Sequence, residues 1–203
     1  MRQEEKTERT RQKILAAAME EFGANGYAGA SLNTICGTGI AKGLLYHNFE
    51  NKDALYLACV GQCLSELTET LKAADIGNDL QKYMNVRLRF FQEHERQANL
   101  FFEAILQPPG DLRQEIAALH RELDQLNIQI YERILDSLPL RKDVTREEAT
   151  VYFSLMQNMF NGYFSSDFCL GQTFAELTAT HEANLTKLLD FMLYGIAERG
   201  DKQ

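Results

Sequence analysis

A chain of 203 residues that is 45% apolar and 25% charged can bury a substantial core, which excludes global disorder. Its 29 Asp/Glu outnumber 21 Lys/Arg for a net charge of −8, which excludes indiscriminate coating of nucleic acid, since neutralising phosphates needs an excess of Lys and Arg. No apolar run approaches the roughly 18 residues of a membrane span, and the opening MRQEEKTERTRQK lacks the apolar stretch of a signal peptide. A cytoplasmic protein with no membrane partner is expected, with its four cysteines (Cys36, Cys59, Cys63, Cys169) reduced, because none forms a C-x-x-C pair.

Apolar residues recur at spacings of three and four, and only three prolines interrupt them, so the fold class is all-α. The first helix is read from about Thr7 to Ala24, with Ile14, Leu15, Ala18 and Phe22 on one face. Asn25-Gly26 ends it as a left-handed cap. Ser31 caps a brief helix through Leu32, Ile35 and Cys36, and Gly37 to Gly39 break it. A third short helix runs over about 41–48. Asn51 then caps a long fourth helix, about 52–74. Further helical patterns cover about 79–95, 97–106, 112–137, 146–167 and 173–198, which makes about nine helices in all. Gly77-Asn78, Pro108-Pro109-Gly110, Pro139 and Gly171 separate them.

Three compact helices in the first fifty residues, the last two joined by a glycine-containing turn, make a helix-turn-helix pattern. Charge is distributed accordingly: residues 1–52 carry seven Lys/Arg against six Asp/Glu, and the remainder fourteen against twenty-three. The division expected is a DNA-binding head, 1–52, and a ligand-binding and dimerisation body, 53–203.

The stretch TRQKILAAAMEEFGANGYAGASLNTICGTGIAKGLLYHNFENKDALYLACV resembles the head of the TetR family, whose pattern T-R-x-x-I-L-x-A-A…F…G-Y leads to K-G-x-L-Y-x-x-F-x-x-K-x-x-L. Thr10, Arg11, Ile14, Leu15, Ala17, Ala18, Phe22, Gly26, Tyr27, Ser31, Ile35, Gly39, Lys42, Gly43, Leu45, Tyr46, Phe49, Lys52 and Leu55 fall in order. The body resembles the family only in helical pattern and length. The resemblance implies a bacterial transcription regulator, a repressor by family frequency, that binds a palindromic double-stranded DNA operator as a homodimer and releases it on binding a small effector. It implies DNA-binding roles for Ser31, Ala41, Lys42, Gly43, Leu44, Tyr46, His47 and Lys52. Physics agrees with those roles: Ala41 and Gly43 keep the start of the third helix slim enough to approach base edges, and Lys42 can donate to guanine or phosphate. Tyr46, His47, Ser31 and Lys52 suit backbone contacts. The turn between Ile35 and Gly39 is one residue shorter than the pattern, which Gly37 and Gly39 can absorb, and Ala41 replaces a frequent serine.

In the body, large soft side chains suit an apolar or amphipathic effector, and Tyr131, Met156, Met159 and Tyr163 are the candidate ligand residues. Stripes at Phe153, Phe160, Phe164 and at Leu185, Leu188, Leu189, Met192 suit a four-helix interface between two copies. The four histidines are scattered and no Cys/His cluster has metal spacing, so neither metal, cofactor nor catalytic site is expected. A small-molecule binding protein with a degenerate head is the alternative reading, motivated by the shortened turn.

Overall fold

The computed structural model describes residues 3–164 and 174–196; Cys169 lies outside them. Among the described residues there are nine α-helices: α1 (Gln3–Gly29), α2 (Leu32–Gly37), α3 (Lys42–Asn48), α4 (Lys52–Ala73), α5 (Leu80–Glu93), α6 (Glu95–Leu106), α7 (Arg113–Asp136), α8 (Arg146–Phe164) and α9 (Phe174–Ile196). A one-turn 3-10 helix, Gly110–Leu112, precedes α7. No described helix is long and apolar enough to cross a membrane.

The helix ends are written in local chemistry. Gly26 sits at φ 66°, ψ 175° inside α1, so the long first helix breaks there, at the left-handed position that glycine occupies without steric cost. The Asn51 side chain accepts the Ala54 amide at 2.8 Å, and Asp79 accepts the Lys82 amide at 3.0 Å, satisfying first-turn donors of α4 and α5. Thr145 and Glu148 bond reciprocally, amide to carboxylate at 2.9 Å and amide to hydroxyl at 3.2 Å. That reciprocal pair is a capping box and explains why α8 starts at Arg146.

The chain gathers into two compact units: residues 1–66 with 91–120, and residues 67–90 with 121–203. This grouping follows packing, and differs from the division expected at residue 52. In the first unit α1 packs on α2 and α6, and α2 on α3. Its buried residues include Ile14, Leu15, Ala18, Phe22, Ile35, Leu45, Phe49, Leu55 and Tyr56. The approach of α1 to α6 depends on Gly23, because a Cβ there would stand 2.6 Å from the Arg96 carbonyl oxygen. Asn99 reinforces that approach by donating its side-chain N–H to the Gly23 carbonyl at 2.8 Å.

The second unit packs α8 on α9 and stacks Tyr131 of α7 on Phe153 of α8, with ring centres 3.9 Å apart. Its core also holds charge. Arg87 of α5 and Glu182 of α9 pair at 2.9 Å, and both are buried. His181 meets Glu182 at 3.3 Å and Asn161 at 3.1 Å, while the Tyr83 hydroxyl donates to Asn127 at 2.8 Å. Burial by itself would raise the Glu182 pKa, but the Arg87 charge and hydrogen bonds from His181 and Arg87 outweigh it and hold the carboxyl down at about 2. A carboxyl whose folded pKa is depressed contributes stability that is fully present above its unfolded value, about 4.3, and is lost as pH falls through the folded one. The melting temperature is therefore expected to fall between about pH 5 and pH 2. Replacing the ion pair by Arg87→Met with Glu182→Leu should flatten that fall in calorimetric scans across the same range, and an equal acid loss in the double variant would refute the assignment.

Candidate nucleic-acid interface

The candidate recognition element, α3, is a seven-residue helix, too short to persist alone, and its hold on the protein comes from two side chains. Leu45 and Phe49 are buried, while Ala41, Lys42, Gly43, Leu44, Tyr46 and His47 are exposed. Leu45 is the buried position within the helix, and Phe49, its C-cap in extended backbone, is buried just beyond its end, which leaves the other residues outward together. Arg11 of α1 covers the Phe49 ring at 4.5 Å from guanidinium carbon to ring centre, adding a cation–π contact. The first turn of α3 has no side-chain cap: Ala41 supplies only its carbonyl, to the Leu44 and Leu45 amides.

Upstream, Ser31 does what a cap should. Its hydroxyl accepts the Asn33 amide at 3.2 Å, and its own amide donates to Glu21 of α1 at 2.9 Å, which fixes where α2 leaves α1. The turn that follows closes through Thr38, whose hydroxyl donates to the Ile35 carbonyl at 2.7 Å, and through Gly39 at φ 94°. Gly37 remains helical. The shortened turn is thus accommodated by one left-handed residue, Gly39, rather than by both glycines.

Lys52 opens α4, but its ammonium turns back into the protein. It donates to the Ala30 carbonyl at 2.7 Å and lies 4.8 Å from the centre of the Tyr27 ring. Tyr27 in turn donates its hydroxyl to Asp53, and that bond, followed by burial, pushes the Tyr27 pKa up to about 12. The start of α4 is therefore stitched to the chain just before α2. An ammonium has three donors, so a phosphate contact by Lys52 would use those that Ala30 does not take.

Sequence reasoning missed the contribution of α6. Glu103 accepts the Tyr27 amide at 2.8 Å and the Tyr56 hydroxyl at 3.1 Å. Arg96 pairs with Glu20 at 3.2 Å. The Cys63 thiol donates to the Gln97 carbonyl at 3.3 Å. Cys59 and Cys63 are buried; burial raises both thiol pKa values, Cys59 to about 12, so neither is a ready thiolate. The available signal was Glu103 itself, a lone carboxylate among the buried Phe101, Phe102 and Ala104.

The body residues singled out by spacing separate into two groups. Tyr131 is buried, and among the described residues its hydroxyl has no hydrogen-bond partner; burial pushes its pKa up to about 12. Met156 is half-buried, whereas Met159 and Tyr163 are exposed, at 67% and 55%. Phe153, Phe164, Leu185 and Leu189 are buried, and Phe160, Leu188 and Met192 half-buried. The exposed apolar residues are their neighbours, Val151, Tyr152, Leu155, Met159 and Tyr163 on α8 with Phe191 and Tyr194 on α9. A cavity of about 420 Å³ opens among Tyr152, Leu155, Met156, Met159, Phe160 and Leu188. It is the same pair of helices with the outward stripe one or two residues away.

Residues 14–59 match the family model of the bacterial regulatory proteins of the tetR family. Over 54 residues the chain is 46% identical to the HTH-type transcriptional regulator UidR of Escherichia coli strain K12, a match covering 26% of this chain and 28% of that protein. The chain thus spans little more than a quarter of the length of the curated relatives it matches. Among solved structures it is similar to the fatty acid degradation regulator FadR from Bacillus halodurans, at TM-score 0.62 and 17% identity, covering 91% of this chain and 98% of that one. A TetR family transcriptional regulator from Cytophaga hutchinsonii matches at TM-score 0.61 and 21% identity over 96% and 98% of the two chains. These solved structures share the fold well beyond the head, while the family model matches only residues 14–59.

The two turn glycines make opposite forecasts. Neither would meet a neighbour on gaining a Cβ, but only Gly39 has a positive φ. Gly39→Ala should destabilise by about 1–2 kcal/mol through backbone strain, while Gly37→Ala should be neutral or stabilising by up to about 1 kcal/mol. Urea unfolding of the two variants distinguishes them, and equal effects would contradict the turn described.

Proposed function

We propose that this chain, whose residues 14–59 match the model of the tetR family of bacterial regulatory proteins, is a member of that family and a ligand-responsive transcriptional repressor that binds an inverted-repeat duplex operator as a homodimer. The observation that carries this reading is the outward face of α3, where Lys42, Gly43, Leu44, Tyr46 and His47 are exposed above the buried anchors Leu45 and Phe49. Gly43 leaves the start of the helix slim, with nothing within 4 Å of where its Cβ would be, so the backbone can approach the groove floor. Lys42 then reads guanine or meets a phosphate, and Tyr46, His47 and the Ser31 hydroxyl bond to the sugar-phosphate backbone. Leu44 offers an apolar contact to a thymine methyl.

Two copies are needed because a single seven-residue helix reads only one half-site. The exposed apolar residues of α8 and α9 support a homodimer, since contiguous apolar patches on a protein surface mark interaction sites. The effector reading is supported by Tyr131. A buried hydroxyl without a partner costs stability, and an effector with a polar atom at that point would relieve it. An effector that binds the DNA-incompetent state more tightly shifts the population off the operator by its differential affinity.

The direct test is selection of bound fragments from random duplex DNA, followed by a salt series on the fragment recovered. An inverted repeat with half-sites about one helical turn apart, bound with affinity that falls steeply with salt, is expected. A folded dimer that enriches no sequence would refute the reading. Met159→Glu places a charge on the exposed α8 face and should shift the protein from dimer to monomer in sedimentation velocity while the far-ultraviolet helix signal is kept; a persistent dimer would move the interface elsewhere. Tyr131→Phe removes the unpaired hydroxyl and should leave operator affinity within about twofold while raising thermal stability by about 1 kcal/mol. A loss of stability on that substitution would mean that the hydroxyl is satisfied in solution.

A further inference from the structure

Glu103 lies on α6, more than fifty residues beyond α3, yet its two carboxylate oxygens serve two different helices, α1 and α4, on either side of the helix-turn-helix. Oε1 accepts the Tyr27 amide at 2.8 Å, and Oε2 accepts the Tyr56 hydroxyl at 3.1 Å. Tyr27 is the first residue past the break at Gly26, where φ is 66°. Its amide is a donor that the broken helix cannot satisfy, and the segment it opens leads through Ala30 into Ser31, the cap of α2. Tyr56 is fully buried on α4, with its ring edge-on to Phe22 and Tyr27 at 5.2 and 5.0 Å. One side chain therefore bridges the kink of α1 and the first turns of α4, the two ends between which α2 and α3 are strung.

A carboxylate is a costly choice for this point. Burial raises the Glu103 pKa, and the Tyr27 amide, the Tyr56 hydroxyl and the Lys52 charge work against that. The fit is close, since a Cβ on Gly26 would stand 2.7 Å from Oε1. An apolar side chain of the same size would fill the space, but it would leave the amide and the hydroxyl without an acceptor. What the carboxylate adds over an apolar filler is direction: it fixes the angle at which the chain leaves Gly26.

Resting on the operator-binding reading above, we propose that Glu103 is a positioning residue for operator recognition. It never touches DNA; from α6 it sets the course of the Tyr27–Ser31 segment, and through it the aim of α3. The rest of the α1–α6 contact keeps the anchor in place, because Gly23 lies against the Arg96 backbone and Asn99 binds the Gly23 carbonyl.

A role in aiming differs measurably from a role in stability. The probes are the selected operator and an unrelated duplex of equal length, bound by the full-length wild type and by Glu103→Ala, Glu103→Gln and Tyr56→Phe. Glu103→Ala should lose about tenfold or more in the ratio of operator to unrelated-duplex affinity, because the hydrogen bonds to a charged acceptor are gone. Its affinity for the unrelated duplex should be unchanged, since the exposed residues of α3 remain. Glu103→Gln keeps an acceptor for the Tyr27 amide and should recover most of the lost ratio. Should Glu103→Ala fail to fold, Tyr56→Phe removes one of the two bonds and should still lower the ratio by about threefold. A folded Glu103→Ala, or in its absence Tyr56→Phe, with a lower melting temperature but an unchanged ratio would reduce Glu103 to a packing residue and overturn the proposal. Failure of the wild type to select any operator would fell the function itself before any variant was compared, and this proposal with it.

Discussion

Everything on the outer face of α3 depends on two buried side chains, Leu45 within the helix and Phe49 at its C-cap. Seven residues form less than two helical turns, and an isolated helix of that length is unstable in water because nucleation costs more than the few hydrogen bonds return. Leu45 and Phe49, both buried, supply the missing stabilisation at roughly 1.5–3 kcal/mol apiece. Arg11 caps the Phe49 ring. The consequence for function is a division of labour over one short helix and its C-cap: two positions are committed to the core, and the remaining side chains can differ with whatever they must contact. The absent cap at Ala41 leaves the helix all the more dependent on this packing.

Packing alone sets distance better than angle, since apolar contacts are non-directional. The directional contacts in the first unit gather around the ends of the helix-turn-helix: Glu21 on the Ser31 amide, Lys52 on the Ala30 carbonyl, and Glu103 on Tyr27 and Tyr56. Each is a charged side chain bonded to a backbone group or hydroxyl, the class of hydrogen bond that is shorter and stronger than a neutral one. The second unit places its directional bonds differently, in the core, as the buried Arg87–Glu182 pair with His181 and Asn161. Removing one partner of such a pair is costly, while an apolar replacement of the whole pair is often tolerated. Three of these bonds in the first unit thus hold backbone at the ends of short helices, whereas the buried group in the second joins side chains to one another.

How far the sequence disclosed this follows the range of each interaction. Helix ends were legible because their causes are local: Ser31, Asn51 and Gly26 act within a few residues, and each is found at the end expected of it. The head was legible because its residues are spaced along one continuous stretch. The α1–α6 contact was not, because it needs a glycine at 23 and a helix that begins about seventy residues later, and nothing near Gly23 announces the partner. Glu103 gave a weak sign, a carboxylate in a run of buried apolar residues.

The body shows a subtler limit. Spacing of three and four marks an apolar stripe, but on α8 there are two, Phe153 with Phe160 and Phe164, and Tyr152 with Leu155, Met159 and Tyr163, and together they leave the helix apolar around more than half its girth. Periodicity states that a face is apolar, not what covers it. Only the tertiary fold assigns Phe153, stacked on Tyr131, to the interior and Met159 to the surface. A helix whose second apolar face remains exposed after its own unit has packed is asking for a partner, since burial there stabilises by about 25 cal/mol per Å² of apolar surface. The same ambiguity that made the stripe unreadable is thus the physical ground for the proposed association: a helix serving only its own core would need one apolar face, and α8 carries two.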